Sequence, residues 1–291
     1  MRQFEIFTDS ACDITAKMIE DWNVTVVPLT VHLGDHSYGD YKDEREITYK
    51  EVYEKLRTDI SASTSAVNIE DYHRVMEPML SSGKDILCIS FSSELSSTYA
   101  NGYTAIKELR EKYPERQIRI IDSKCASLGM GLLVSKAVAL ADEGRPIEEV
   151  EAMVRQTIPK TCHWFTVENL KRLRKGGRIS ATSAALGGLL HIKPVLYVDD
   201  AGKLQAASKV RGRQASIEKL ADHVAEGIVS PEGQTVFISH GDCMEDVRVL
   251  INKIKERVPA KGFEVNFSGP VIGAHAGAGL LAVFFFGEKR Q

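Results

Sequence analysis

The residues best equipped for chemistry are short hydroxyls, one histidine and one aspartate. Thr64-Ser65 and the run Ser92-Ser93-Glu94-Leu95-Ser96-Ser97-Thr98 put short hydroxyls in loops. Hydroxyls at such points cap helices, and a helix start that presents free N–H groups beside hydroxyls also suits a carboxylate or phosphate. His275 sits inside Ser268 to Gly287, among Gly269, Gly273, Gly277 and Gly279, and directly before the most apolar stretch of the chain, Leu280 to Phe286. Glycines allow close backbone approach, so the stretch reads either as one polar group at the mouth of an apolar pocket or as a tight turn into a core strand. Asp9 ends an apolar run. Together with Ser96 and His275 it completes a triad inventory, which leaves a serine-type acyl ester hydrolase open, although inventory is not geometry and no GxSxG elbow surrounds any serine.

Other chemistries find no support. The sequence has no GxxxxGK[ST] to cradle a nucleotide phosphate and no HExxH for zinc. Gly277-Ala278-Gly279-Leu280-Leu281-Ala282 fits the loose dinucleotide pattern but leads into a strand, where that fingerprint has to open a helix. The five cysteines never form CxxC, so they read as reduced, small apolar residues with no metal or disulfide role. A net charge of −3 gives no field for nucleic acid. Lys171-Arg172-Leu173-Arg174-Lys175-Gly176-Gly177-Arg178 concentrates basic side chains at a helix end, either a solvated terminus or a docking face for something acidic, with Lys209, Arg211 and Arg213 as additions. No apolar run reaches membrane-spanning length, and the strand-like Phe4 to Phe7 follows Met1 so closely that no secretory leader is expected. The expected location is the cytoplasm; a transient contact with a membrane surface is left open.

The elements that must position these residues alternate. In the first half, Phe4 to Phe7, Ile86 to Phe91 and Ile118 to Ile121 read as strands ending in Thr8-Asp9-Ser10, Ser92 to Thr98 and Asp122-Ser123. Each polar turn is followed by a helical pattern, the signature of βαβ units and a parallel sheet with ligands beyond the strand ends. Val24 to Leu33 is β-rich with a bend at Pro28. Thr48 to Glu51 has capping-box spacing and starts a helix to about Asp59. A boundary falls near Pro159. Beyond it come a strand at Cys162 to Val167, a hairpin around Asp199 to Lys203, two helices and two further strands. The 291 residues suit two domains, 1–158 and 159–291.

In their order and spacing these landmarks resemble the DegV family, the fatty-acid-binding proteins that serve as the lipid-carrying subunit of bacterial fatty acid kinase. The resemblance is carried by Thr8-Asp9-Ser10-Ala11-Cys12-Asp13, Thr64-Ser65, Ser92 to Tyr99, Asp122-Ser123, Lys175-Gly176-Gly177-Arg178-Ile179-Ser180, Lys193-Pro194 and Gly273-Ala274-His275-Ala276-Gly277, nearly end to end. It implies an α/β protein with a mostly parallel N-terminal sheet, a C-terminal domain with a mixed sheet, and a ligand cleft between them. It further implies a long-chain fatty acid whose carboxylate is held by Thr64, Ser65, Ser96, Ser97 and His275, and whose chain runs past Gly273, Ala274, Leu280 and Phe284. Arg178 and Arg211 are implied in docking to a separate ATP-binding fatty acid kinase, with no catalytic residue, metal or cofactor in this chain. A lipid sensor acting on another partner is the remaining alternative.

Overall fold

A computed structural model of the protein describes residues 2–58, 60–180 and 191–291. The strands are β1 (Phe4–Asp9), β2 (Val24–Val27), β3 (Thr30–Leu33), β4 (His36–Gly39), β5 (Ala62–Ser65), β6 (Asp85–Ser90), β7 (Ile118–Asp122), β8 (Thr161–Thr166), β9 (Ile192–Val198), β10 (Leu204–Arg211), β11 (Thr235–His240), β12 (Gly262–Phe267) and β13 (Leu281–Phe286). The helices are α1 (Ala16–Trp22), α2 (Tyr49–Leu56), α3 (Ile69–Ser81), α4 (Thr98–Lys112), α5 (Ser127–Asp142), α6 (Ile147–Thr157), α7 (Lys171–Lys175), α8 (Arg213–Gly227), α9 (Met244–Lys255) and α10 (Pro270–Ala276).

The apolar runs of the first half form a parallel sheet in the order β2-β1-β6-β7. The second half forms a six-stranded mixed sheet, β10-β9-β8-β13-β11-β12, in which β11 and β12 are parallel and the remaining pairs antiparallel. The fold is α/β with one parallel and one mixed sheet. A third, antiparallel sheet, β4-β3-β5, was not legible in the sequence. The β-rich segment Val24 to Leu33 breaks at Pro28 into two strands that join different sheets. Proline lacks the donor a continuous ladder needs, and the chain turns there while Leu29 N–H donates to Ser10 Oγ at 3.0 Å.

α5 explains how the two large sheets meet. It is apolar almost all round, as a helix buried on every side must be, and it packs on β1 and β6 on one side and on β8, β11 and β13 on the other. A continuous core therefore joins residues such as Phe7 and Leu87 to Phe165, Phe237 and Phe284. The C-terminus is tied in by Arg290, which is 1% exposed. Its guanidinium donates to the carbonyls of Lys124 (2.6 Å), Asp199 (2.9 Å) and Ile158 (2.6 Å), joining the loop after β7, the β9–β10 turn and the segment ahead of β8.

Local signals mark several boundaries. Thr48 and Glu51 form the reciprocal capping box at the start of α2, which ends at Leu56; Asp59, where the sequence pattern ends it, lies outside the described residues. The segment around His275, expected as a loop, is the short helix α10. Pro270 at its first turn presets φ, and Gly277 at φ +84° ends it.

Candidate functional site

Between the sheets lies a cavity of about 720 Å³, its mouth included. Its walls are predominantly apolar, among them Leu29, Leu95, Phe165, Leu173, Val271 and Phe284. Polar groups gather at one end: Thr64, Ser96, Arg178 and His275.

Each of these arrives on a different element. Thr64 lies on β5, not in a loop as the sequence suggests, and strand alternation sends neighbouring side chains to opposite faces. Thr64 thus reaches the cavity, where its Oγ1 is 2.8 Å from His275 Nε2. Ser65 points the other way and its hydroxyl is 2.7 Å from His32 Nε2, so it is exposed and away from the cavity. Ser96 lines the cavity, accepts the Thr98 N–H at 3.2 Å and lies 2.9 Å from Thr98 Oγ1, so it caps α4 as well. Ser97 takes the N-cap position, makes no side-chain capping bond, and is exposed outside the cavity. The hydroxyl group expected at the head of the site is thereby halved to Thr64 and Ser96.

α10 sorts its residues in the same way. Its helical phase turns Val271, Ile272, His275 and Ala276 to the cavity. Gly273 faces Tyr53, where a Cβ would stand 2.8 Å from the phenol oxygen, and Ala274 is buried in the small core with Val52 and Tyr53. Gly273 and Ala274 therefore support the helix from behind and do not line the cavity, contrary to the reading of the sequence. Leu280 and Phe284 do line it, joined by Ala282 at the alternation of β13.

The electrostatics of this end are those of a desolvated site. Burial, reinforced by the Arg178 guanidinium, pushes the His275 imidazole down to about 4, so it is neutral at pH 7. Arg178 itself is lowered by burial while its Nε donates to Leu95 O at 3.1 Å. Gly176 leaves room for the imidazole: a Cβ there would stand 2.4 Å from His275 Nδ1. Arg172 braces the same corner by donating to Leu56 O at 2.8 Å, at the C-terminus of α2. Arg211 is exposed at the end of β10 and is not part of the cavity wall.

The triad inventory does not assemble. Asp9 is 1% exposed, and its oxygens accept from Phe91 N–H (2.8 Å), Ala11 N–H (3.1 Å) and Ser90 Oγ (3.2 Å). Burial pushes its carboxyl up to about 6. Its role is to tie the ends of β1 and β6 together, while Ser96 and His275 are engaged with Thr98 and Thr64.

Three cavity residues carry no motif and escape sequence reasoning: Ser127, His163 and Ser239. His163 sits in the run Cys162 to Thr166, whose members are all buried, so no alternation singles it out. Among the described residues no cluster of His, Cys, Asp and Glu could hold a metal ion, and no helix is long and apolar enough to cross a membrane.

The class defined here is an α/β protein of a parallel and a mixed sheet enclosing an apolar cavity with a hydroxyl–imidazole pair at one end. The chain belongs to the DegV family, whose sequence model, described as an uncharacterised protein of that family, matches residues 3–288. A DegV domain-containing protein of Clostridium perfringens is 43% identical over 291 residues, covering 100% of both chains. Among solved structures, a DegV family protein from Thermus thermophilus, described for its fatty acid binding, superposes with a TM-score of 0.87 at 30% identity, covering 99% of this chain and 100% of that one. A DegV family protein from Ruminococcus gnavus, refined with vaccenic acid, gives a TM-score of 0.87 at 27% identity, covering 98% of this chain and 100% of that one.

Proposed function

We propose that this protein binds a long-chain fatty acid in the cavity between its sheets and presents the carboxylate to a separate ATP-dependent fatty acid kinase, which forms the acyl phosphate for phospholipid synthesis. The observation that carries the reading is the polar end of a predominantly apolar cavity, where Thr64 and His275 meet at 2.8 Å. Burying a sixteen-carbon chain at ~0.8 kcal/mol per methylene contributes on the order of 11 kcal/mol before binding costs, enough to hold a ligand through purification. A carboxylate in such a cleft needs donors, because an unpaired one is costly. Thr64, Ser96 and the nearby Arg178 guanidinium supply them, and neutral His275 orients the Thr64 hydroxyl.

In this reading the chain is a non-catalytic carrier that works without a cofactor, the domains divide at 158/159, and the protein acts in the cytoplasm. Arg178, which lines the cavity, and exposed Arg211 contribute to the face that meets the kinase. Denaturing mass spectrometry of purified protein is expected to release a long-chain fatty acid. Protein that carries none and also refuses added palmitate or oleate would sink the reading. Pull-down from lysate is expected to recover an ATP-binding kinase with the wild type and less of it with Arg211→Ala. Recovery of a different partner would favour a lipid sensor.

A further inference from the structure

Away from its His275 end, the cavity wall contains lone pairs whose companion protons are already committed. Ser127 lies at the start of α5, Ser239 on β11 and His163 on β8, and all three line the cavity. Ser127 Oγ is 2.6 Å from Asp13 Oδ2 and 2.9 Å from Ser239 Oγ, and Ser268 Oγ is 2.9 Å from Ser239 Oγ. Lys42 Nζ lies 3.6 Å from Asp13 Oδ1, and burial pushes the Asp13 carboxyl up to about 7, so above that pH Asp13 only accepts. Each hydroxyl owns one proton, so the three protons are then used up by these three contacts and none is left for the cavity. His163 is 1% exposed, and its Nδ1 lies 3.0 Å from Thr161 O. A carbonyl only accepts, so Nδ1 carries the proton and Nε2 is left as a bare acceptor. That atom has no hydrogen-bond partner and rests over Gly129, where a Cβ would stand 2.0 Å away. Burial holds the imidazole well below its ordinary range, so the ring stays neutral. Phe284 meets it edge to face at 5.3 Å.

Acceptors without donors in an apolar wall suit a group that brings its own proton, and on an acyl chain that group is a hydroxyl. We propose that Ser127, Ser239 and His163 accept a hydroxyl carried in the middle of a bound acyl chain, so that mid-chain hydroxylated fatty acids are ligands of this protein. The inference rests on the fatty-acid reading of the cavity. The position of the hydroxyl follows from α10. Ser239 is bonded to Ser268, just ahead of that helix, and His275 lies in its last turn, which at helical rise puts the two ends on the order of 10 Å apart. An extended alkyl chain spans that distance in roughly eight bonds. In a wholly apolar cavity a chain hydroxyl is penalised for the water it loses; an acceptor at that depth removes the penalty.

The test titrates delipidated protein with stearate, with stearate hydroxylated at the tenth carbon, and with the isomer hydroxylated beside the carboxylate. Wild type is expected to bind the tenth-carbon isomer at least as tightly as stearate, and more tightly than the other isomer. In Ser239→Ala and in His163→Phe the ratio of tenth-carbon isomer to stearate affinity is expected to fall about ten-fold or more. Weaker binding of the tenth-carbon isomer than of stearate by wild type, or a ratio that both variants leave unchanged, overturns the proposal. If His163→Phe does not fold, Ser239→Ala and the wild-type comparison decide. Stearate bound without tolerance of the hydroxyl strikes this proposal alone, whereas wild type that binds none of the three acids strikes the fatty-acid reading beneath it.

Discussion

Thr64 Oγ1 and His275 Nε2 stand 2.8 Å apart although 211 positions separate them in the chain. The contact joins β5 of the small antiparallel sheet to α10, and it fixes the polar end of the cavity. Replacing the hydroxyl by a methyl in Thr64→Val keeps the shape and removes the donor. Affinity for a long-chain fatty acid is expected to weaken by roughly 1 to 3 kcal/mol in calorimetry. Ser65→Ala, on the opposite face of the same strand, is expected to leave it unchanged. Equal effects of the two changes would refute the assignment of Thr64.

Gly176 governs whether His275 can occupy its place. Its backbone is ordinary right-handed helix, so alanine meets no φ penalty, but the added Cβ would lie 2.4 Å from His275 Nδ1. Gly176→Ala is expected to push the imidazole off Thr64 and lower fatty acid affinity about as much as Thr64→Val does. Fluorescent fatty acid displacement measures it, and an affinity equal to wild type would show that the ring does not have to sit there.

The titration of His275 gives a pH signature. Its folded value of about 4 lies below the ordinary 6.5 because burial and Arg178 both disfavour the imidazolium. Between those values the unfolded chain binds the proton and the folded one does not. The contribution is therefore fully present above pH 6.5 and is lost as pH falls toward 4, by on the order of 3 kcal/mol. Denaturant unfolding of wild type and His275→Gln at pH 7 and pH 4.5 isolates it. The stability difference between the two proteins is expected to shift against wild type at the lower pH, and a constant difference would contradict the assigned burial. Imidazole NMR of the ligand-free protein is expected to place the His275 midpoint near 4.

Arg290 is the test of how the C-terminus is held. Three backbone carbonyls from separate parts of the chain converge on its guanidinium, and truncation removes that shared donor, leaving Asp199 O with the Gly202 N–H and Ile158 O with the Thr161 N–H alone. Arg290→Ala is expected to cost about 3 kcal/mol or more, read as a lowered midpoint in thermal or denaturant unfolding. Arg290→Lys is expected to recover little, because an ammonium lacks the planar fork that reaches carbonyls in different directions. A midpoint within error of wild type for the alanine variant would mean that the latch contributes nothing to stability.

Much of the architecture was legible in the chain itself. Apolar runs ending in polar turns gave the parallel strands of the first half, the capping box at Thr48 and Glu51 gave the start of α2, and the apolar Leu280 to Phe286 gave the buried β13. These signals are local: they depend on spacing within one element, and the physics of caps, turns and strand periodicity acts at that range. The same is true of the residue types at the site. A histidine among glycines and hydroxyls at segment ends are visible before any folding is known.

Facing and convergence were decided by the tertiary structure. Ser65 beside Thr64, and Gly273 and Ala274 beside His275, look as eligible as their neighbours until β5 and α10 are packed. One step along a strand reverses the face, and about 100° per residue along a helix does the same. Tyr53 behind α10 and His32 beside β5 set those phases, and both partners are distant in sequence from what they set. Ser127, His163 and Ser239 had no local pattern at all, since they share a wall only because α5 is wedged against β8 and β11. The sequence by itself determined the elements and the chemical types available to the cavity. Which of those side chains meet was settled by long-range packing, because burial of apolar faces fixes element orientation and a polar group goes where that orientation carries it.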